Sequence, residues 1–180
     1  MNLKYVGVAL IGLVLLPSVA CTPAKSEAEL ASEALQRGLE AHSAGRLEDA
    51  ATAYREVLVQ EPTNKFAFYN LGLIDQTLGR AEAAEANYRL SLSVDPNFTA
   101  ALFNLAILRA EAGGSQEAID LYRKVVELEP ENAGAYLNLG FALLDVGEDA
   151  EAQRNFQLAI QLDPSLAQRI PKEQIPTPSP

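Results

Sequence analysis

Four prolines, Pro62, Pro96, Pro130 and Pro164, stand 34 residues apart, and the same step joins other columns of residues. It links Gly38, Gly72, Ala106 and Gly140, and again Gly45, Gly79, Gly113 and Gly147. It links Ala50, Ala84, Ala118 and Ala152, and then Tyr54, Tyr88, Tyr122 and Phe156. Columns kept in register over four copies describe one supersecondary unit stacked on itself, because a unit of this size cannot bury its apolar face alone.

Each column has a physical reading. Within each unit the apolar spacing is helical, as in Leu71, Ile74 and Leu78 or Leu102, Leu105 and Leu108. Gly38 and its equivalents fall midway along a first helix, where glycine costs about 1 kcal/mol relative to alanine, so a small residue recurring there implies that another helix crosses closely. Gly45 and its equivalents fall where that helix ends, in the left-handed conformation of a C-terminal cap. Ala50 and its equivalents are expected to give the matching close approach on a second helix, with the aromatic one turn further on filling space between repeats. The prolines stop the second helix. Asn64, Asn97, Asn132 and Ser165 are expected N-caps. Ser26 and Glu29 have capping-box spacing, which predicts an early start for the first helix.

Asn70-Leu71-Gly72 and Asn138-Leu139-Gly140, with Asn104-Leu105-Ala106 as a variant, resemble the first helix of the tetratricopeptide repeat. Ala-x3-Tyr/Phe followed by Pro resembles its second. The resemblance covers residues 31 to 166 and implies an all-α solenoid of four repeats, 31–64, 65–98, 99–132 and 133–166. Eight antiparallel helices would wind as a right-handed superhelix with a concave inner face. Repeat one departs most, with Arg37 for the usual Leu and Gln36 for the Asn, as a terminal repeat facing solvent can.

Residues 1–20 are of another kind. Lys4 is the only charge before Lys25, and an apolar run from Val6 to Leu16 leads into Pro17-Ser18-Val19-Ala20-Cys21. Charged start, short apolar core and small-residue site describe a signal peptide. The run is shorter than the ~20 residues of a spanning helix. Ser18-Val19-Ala20-Cys21 resembles the lipobox of bacterial lipoproteins, which implies cleavage before Cys21 and acylation of it. Ordinary cleavage, leaving Cys21 a free thiol, is the alternative. Several acyl chains would anchor the protein, since each buried CH₂ contributes ~0.8 kcal/mol. Residues 21–30 then read as the lipidated Cys and a tether. The expected place is the cell envelope, with the periplasmic face of the outer membrane favoured by Thr22 after the Cys; a secreted or soluble periplasmic protein is the alternative.

Composition removes several functions. Lys and Arg number 14 against 24 Asp and Glu, a net charge of −10, which disfavours binding to nucleic-acid phosphates. One Cys and one His exclude a disulfide framework, a multi-cysteine zinc site and two-histidine metal motifs. No nucleophile and base are fixed beside His42 by a motif, so neither an enzyme nor a cofactor is expected.

By analogy with the resembling family, the concave groove should carry Leu35, Tyr69, Phe103 and Leu137 at the fifth place of each repeat, and Leu39, Leu73, Ile107 and Phe141 at the ninth. These eight are the candidate partner-binding residues. They read either as core between first helices or as an apolar groove that takes a helix or extended peptide. A carboxylate clamp of the kind some relatives use does not fit, since Leu35, Leu39 and Ala100 occupy its polar places. No convergent polar groups are expected in the groove. Acidic runs such as Glu127, Glu129 and Glu131 read as solvated helix ends, or more weakly as a field that steers a basic partner.

Residues 167–180 read as a frayed Pro-rich tail. Two alternatives are Ile170 and Ile175 folding back as a makeshift cap, or an uncapped end that pairs with a second copy. The function this implies is a membrane-tethered scaffold or adaptor that docks a protein or peptide partner. The alternative is a self-assembling structural component, with pilotin-like help to pilus or secretion assembly as a specific variant.

Overall fold

The computed structural model describes residues 24–175, so the expected signal peptide 1–20, the expected lipidation residue Cys21 and the last five residues lie outside the described part. Eight α-helices follow one another: α1 (Glu27–Ser43), α2 (Leu47–Gln60), α3 (Lys65–Thr77), α4 (Ala81–Val94), α5 (Thr99–Glu111), α6 (Ser115–Leu128), α7 (Ala133–Asp145) and α8 (Asp149–Leu162). Each packs chiefly on its chain neighbours, and first helices also meet across repeats, α5 with α7. The result is an all-α solenoid of four two-helix repeats. None of the described helices is long and apolar enough to cross a membrane.

The helix starts differ from repeat to repeat. Ser26 and Glu29 form the capping box, with Glu29 N–H donating to Ser26 Oγ at 3.3 Å and Ser26 N–H to Glu29 Oε2 at 2.8 Å. Helix α1 therefore begins at Glu27, and the end of the expected 21–30 tether is helical. Asn64 and Asn132 cap α3 and α7 by accepting from Ala67 and Ala135 N–H, each at 3.0 Å. Two expected caps are corrected. Phe98, not Asn97, holds the N-cap of α5, because the 34-residue step from Asn64 lands one residue later. Asp163, not Ser165, caps the turn after α8, its carboxylate accepting from Ser165 N–H at 3.0 Å.

The first helices end as the glycine column requires. Gly45, Gly79, Gly113 and Gly147 have φ of 72°, 72°, 78° and 80°. The residue after each donates back five residues, as Arg46 N–H does to Ala41 C=O at 2.9 Å, which satisfies carbonyls the helix leaves open. The second helices end on an acid held extended by the proline that follows: Glu61, Asp95, Glu129 and Asp163 have φ between −128° and −140°. The proline column thus fixes the position of a carboxylate in every repeat.

The aromatic column has two sets of neighbours. Tyr54, Tyr88, Tyr122 and Phe156 are fully buried, and the first three share their cores with the following repeat, Tyr54 with Leu71 and Ile74, Tyr88 with Leu105 and Leu108, and Tyr122 with Leu139 and Leu143; Tyr54, Tyr88 and Phe156 also lie on the first helix of their own repeat. A Cβ on Gly38, Gly72 or Gly140 would stand 2.6, 2.5 or 2.5 Å from Cε1 of Tyr54, Tyr88 or Phe156. The small residue is needed there because a ring occupies the volume its side chain would take.

The C-terminal reading is also corrected. Residues 164–175 form two 3₁₀ turns, Pro164–Arg169 and Lys172–Gln174, in place of a frayed tail. Ile170 is 4% exposed within the core built on α7 and α8, whereas Ile175 stays at the surface. One of the two isoleucines therefore serves as the makeshift cap.

Candidate functional site

The first helices bring the eight groove candidates to one face in two rows. Seven keep some surface. Leu39 is 50% exposed; Leu35, Tyr69, Leu73, Phe103, Ile107 and Phe141 are half-buried. Leu137 is the exception at 0% exposure, inside the core that also holds Tyr122, Phe156 and Ile170. It is core rather than groove lining.

The three aromatic members, Tyr69, Phe103 and Phe141, rest one side on the aromatic column. The Tyr69 ring lies 5.9 Å from Tyr88 and 5.1 Å from Phe98, Phe103 lies 5.8 Å from Tyr122, and Phe141 lies 5.1 Å from Phe156. Edge-to-face pairs of this kind contribute about 0.5–1.5 kcal/mol beyond buried area, so the groove floor is held rigid by the core beneath it. Core and groove are therefore two faces of the same side chains.

Polar groups do converge in one place. A hollow of about 260 Å³ lies between Tyr69 of α3, Thr99, Ala100, Phe103 and Asn104 of α5, and Glu129 and Asn132 ahead of α7. Asn104 Nδ2 donates to the Tyr69 hydroxyl at 3.1 Å. The Thr99 hydroxyl donates to Glu129, and Asn132 Nδ2 donates to Glu129 Oε2 at 2.9 Å. The apolar reading of the groove missed this hollow, because it forms from residues of two repeats and from an acid read as a solvated helix end.

The phenols nearby hold their protons. Burial raises Tyr69, partly opposed by the Asn104 bond. Burial, with Tyr69 and Asp75 adding to it, raises Tyr88 strongly, and burial pushes Tyr122 up to about 12. None can act as a base at neutral pH. Among the described residues no three His, Cys, Asp or Glu side chains gather to hold a metal ion. His42 lies near the end of α1, its ring 6.5 Å from Tyr54 in an edge contact. Asn70, which would suit a carboxylate clamp, instead donates to its own helix at the Phe66 carbonyl, 2.8 Å away.

Tetratricopeptide-repeat family models match residues 67–98 and 133–166, and a second such model matches residues 108–147. The chain belongs to the tetratricopeptide repeat family. The matched segments 67–98 and 133–166 coincide with the second and fourth repeats. Among solved structures, the tetratricopeptide repeat chain is similar to PilF of Pseudomonas aeruginosa, with 26% identity and a TM-score of 0.69 over 79% of this chain and 67% of that one. It is also similar to MamA, from residue 41 to its end, of Desulfovibrio magneticus RS-1, with 22% identity and a TM-score of 0.71 over 76% of this chain and 77% of that one. A tetratricopeptide repeat protein of Parabacteroides merdae gives 22% identity and a TM-score of 0.69 over 76% of this chain and 54% of that one. No curated protein matches the sequence.

Proposed function

We propose that the protein is a non-catalytic adaptor, tethered to a membrane of the bacterial cell envelope through acylated Cys21, whose concave face docks a segment of a protein partner. The observation that carries this reading is the row Leu39, Leu73, Ile107 and Phe141 with Tyr69 and Phe103 beside it, apolar side chains left partly bare on a floor made rigid by the aromatic column. Contiguous exposed apolar surface is costly in water and marks interaction sites. A lipid anchor would add to the affinity by raising local concentration, with no new contact.

A photo-crosslinking side chain introduced at Leu39, on the groove, and at Val59, on α2 and 74% exposed, tests the docking face in cells. The expected result is one partner captured from position 39 and not from 59, with the yield lowered in Cys21→Ala. Equal capture from both positions, or none from 39, would remove the groove reading. A narrower reading is pilotin-like help to pilus or secretion assembly. It predicts that the captured partner is a component of such an assembly. A self-assembling component would instead capture a second copy of this chain.

A further inference from the structure

We propose that the hollow bounded by Tyr69, Phe103 and Glu129 receives the side-chain ammonium of a lysine carried by the docked partner segment. The proposal rests on the docking reading above and names the chemistry of what docks.

The second and third repeats differ at one junction. In the second, Lys65 opens α3, pairs with Asp95, and places its Nζ 5.1 Å from the Phe66 ring centroid and 5.0 Å from that of Phe98. The Lys65 bond holds the Asp95 carboxyl below its usual range. An ammonium between a carboxylate and two aromatic faces is a favourable pairing. One repeat later, 34 residues on, Lys65 becomes Thr99, Phe66 becomes Ala100, Phe98 becomes Asn132, and Asp95 becomes Glu129. The cation and both rings are gone, and the acid is kept.

The room they would fill is the hollow, whose 260 Å³ exceeds the ~30 Å³ share of a single water several-fold. Aromatic faces still border it, Phe103 as the counterpart of Tyr69 and Tyr69 itself from the repeat before. Glu129 is oriented by neutral donors only, the Thr99 hydroxyl and the Asn132 amide, and among the described residues no Lys, Arg or His lies within ion-pair distance of it. Carboxylate, aromatic walls and space are thus assembled without the cation that the preceding repeat supplies from its own chain. The other two junctions differ. Glu61 has Ala31 in the repeat position of Lys65, accepts from Asn64 Nδ2 at 2.7 Å and lies beside a hollow that Lys65 lines, and Asp163 is taken up in capping Ser165. The net charge of −10 favours the approach of a basic segment.

The full-length protein in detergent is titrated with acetyl-Ala-Lys-Ala-amide and with its norleucine counterpart, following backbone amide shifts by NMR. The lysine peptide is expected to shift Thr99, Phe103, Asn104 and Glu129, and the norleucine peptide to leave them unmoved. Glu129→Gln, which removes the charge and keeps an acceptor oxygen for the Asn132 amide while its NH2 can donate to the Thr99 hydroxyl, should weaken the lysine peptide at least about fivefold, the equivalent of about 1 kcal/mol. Thr99→Lys should abolish binding by filling the hollow from within. Equal shifts with norleucine, no shifts at these amides, or an unchanged affinity in Glu129→Gln would overturn the proposal. A partner captured from position 39 with undiminished yield in Glu129→Gln would also overturn it while leaving the docking reading intact. Lysine binding without any capture at 39 would uphold the pocket and remove the adaptor reading.

Discussion

Adding one methyl to Gly72 tests how this solenoid is held together. In Gly72→Ala the new Cβ would stand 2.5 Å from Tyr88 Cε1 and 2.6 Å from Cδ1, about 0.9 Å inside ordinary contact. The ring has nowhere to go: Tyr88 is 0% exposed and its hydroxyl donates to Gln76 Oε1 at 2.7 Å. Overpacking of this kind costs about 1–3 kcal/mol, and a ring pinned at both ends belongs at the upper end. Alanine returns about 1 kcal/mol of helix propensity. The net expectation is a loss of about 2 kcal/mol, or a fall in Tm of about 4–8 °C for a domain of this size. Urea and thermal unfolding followed by circular dichroism measure it. The third repeat supplies the control, since Ala106 already sits opposite Tyr122 and that helix pair accommodates the methyl. Ala106→Gly should therefore destabilise by about 1 kcal/mol through propensity alone. In a Tyr88→Leu background, Gly72→Ala should become neutral or stabilising. If Gly72→Ala is as stable as wild type, or equally destabilising without the Tyr88 ring, the ring is not what demands glycine.

Two further outcomes follow from the same repeat comparison. Tyr54 is buried with no hydrogen-bond partner on its hydroxyl among the described residues, and His42 stands where the next repeat has Gln76. Tyr54→Phe should be neutral or stabilising and Tyr88→Phe should cost about 1 kcal/mol, both read by urea unfolding. The Lys65–Asp95 pair should show in the acid limb. The Asp95 carboxyl is held below its usual range in the folded state, so its stabilisation is present above the unfolded value of about 3.9 and is lost as pH falls through the lower folded value. Wild type and Lys65→Met should differ in stability at neutral pH and converge below that window. Curves that stay parallel into strong acid would refute the pairing.

The fold was legible because each column carries a separate physical constraint. A glycine at positive φ, a proline after a helix and a small residue under a ring do not substitute for one another. What escaped was the partner of each constraint. The sequence places Tyr88 one turn from Ala84 but does not reveal that its ring lies on Gly72 of the same repeat. It places Leu137 in a groove row, whereas the structure buries it in the core with Tyr122 and Phe156, which the repeat step alone does not reveal. Asn97 looked like a cap because asparagine suits caps, whereas the repeat step gives that place to Phe98, which has no side-chain acceptor.

The candidate pocket was illegible for a related reason. It is defined by what one repeat lacks relative to its neighbour. A uniform column reports packing: a methyl at Gly72 is expected to cost about 2 kcal/mol, so selection on stability alone would hold it. The column of Ala31, Lys65, Thr99 and Ala133 is free to vary, because a pair still about a third exposed, like Lys65–Asp95, contributes only on the order of 1 kcal/mol and its absence is tolerated. The acid before each proline persists through that variation as Glu61, Asp95, Glu129 and Asp163. A carboxylate kept while its internal cation is lost, beside rings that the core holds rigid, is a low-cost way for a repeat array to acquire specificity. Binding chemistry in such an array is to be sought where the repeats stop agreeing with one another, on the face where the core is still bare.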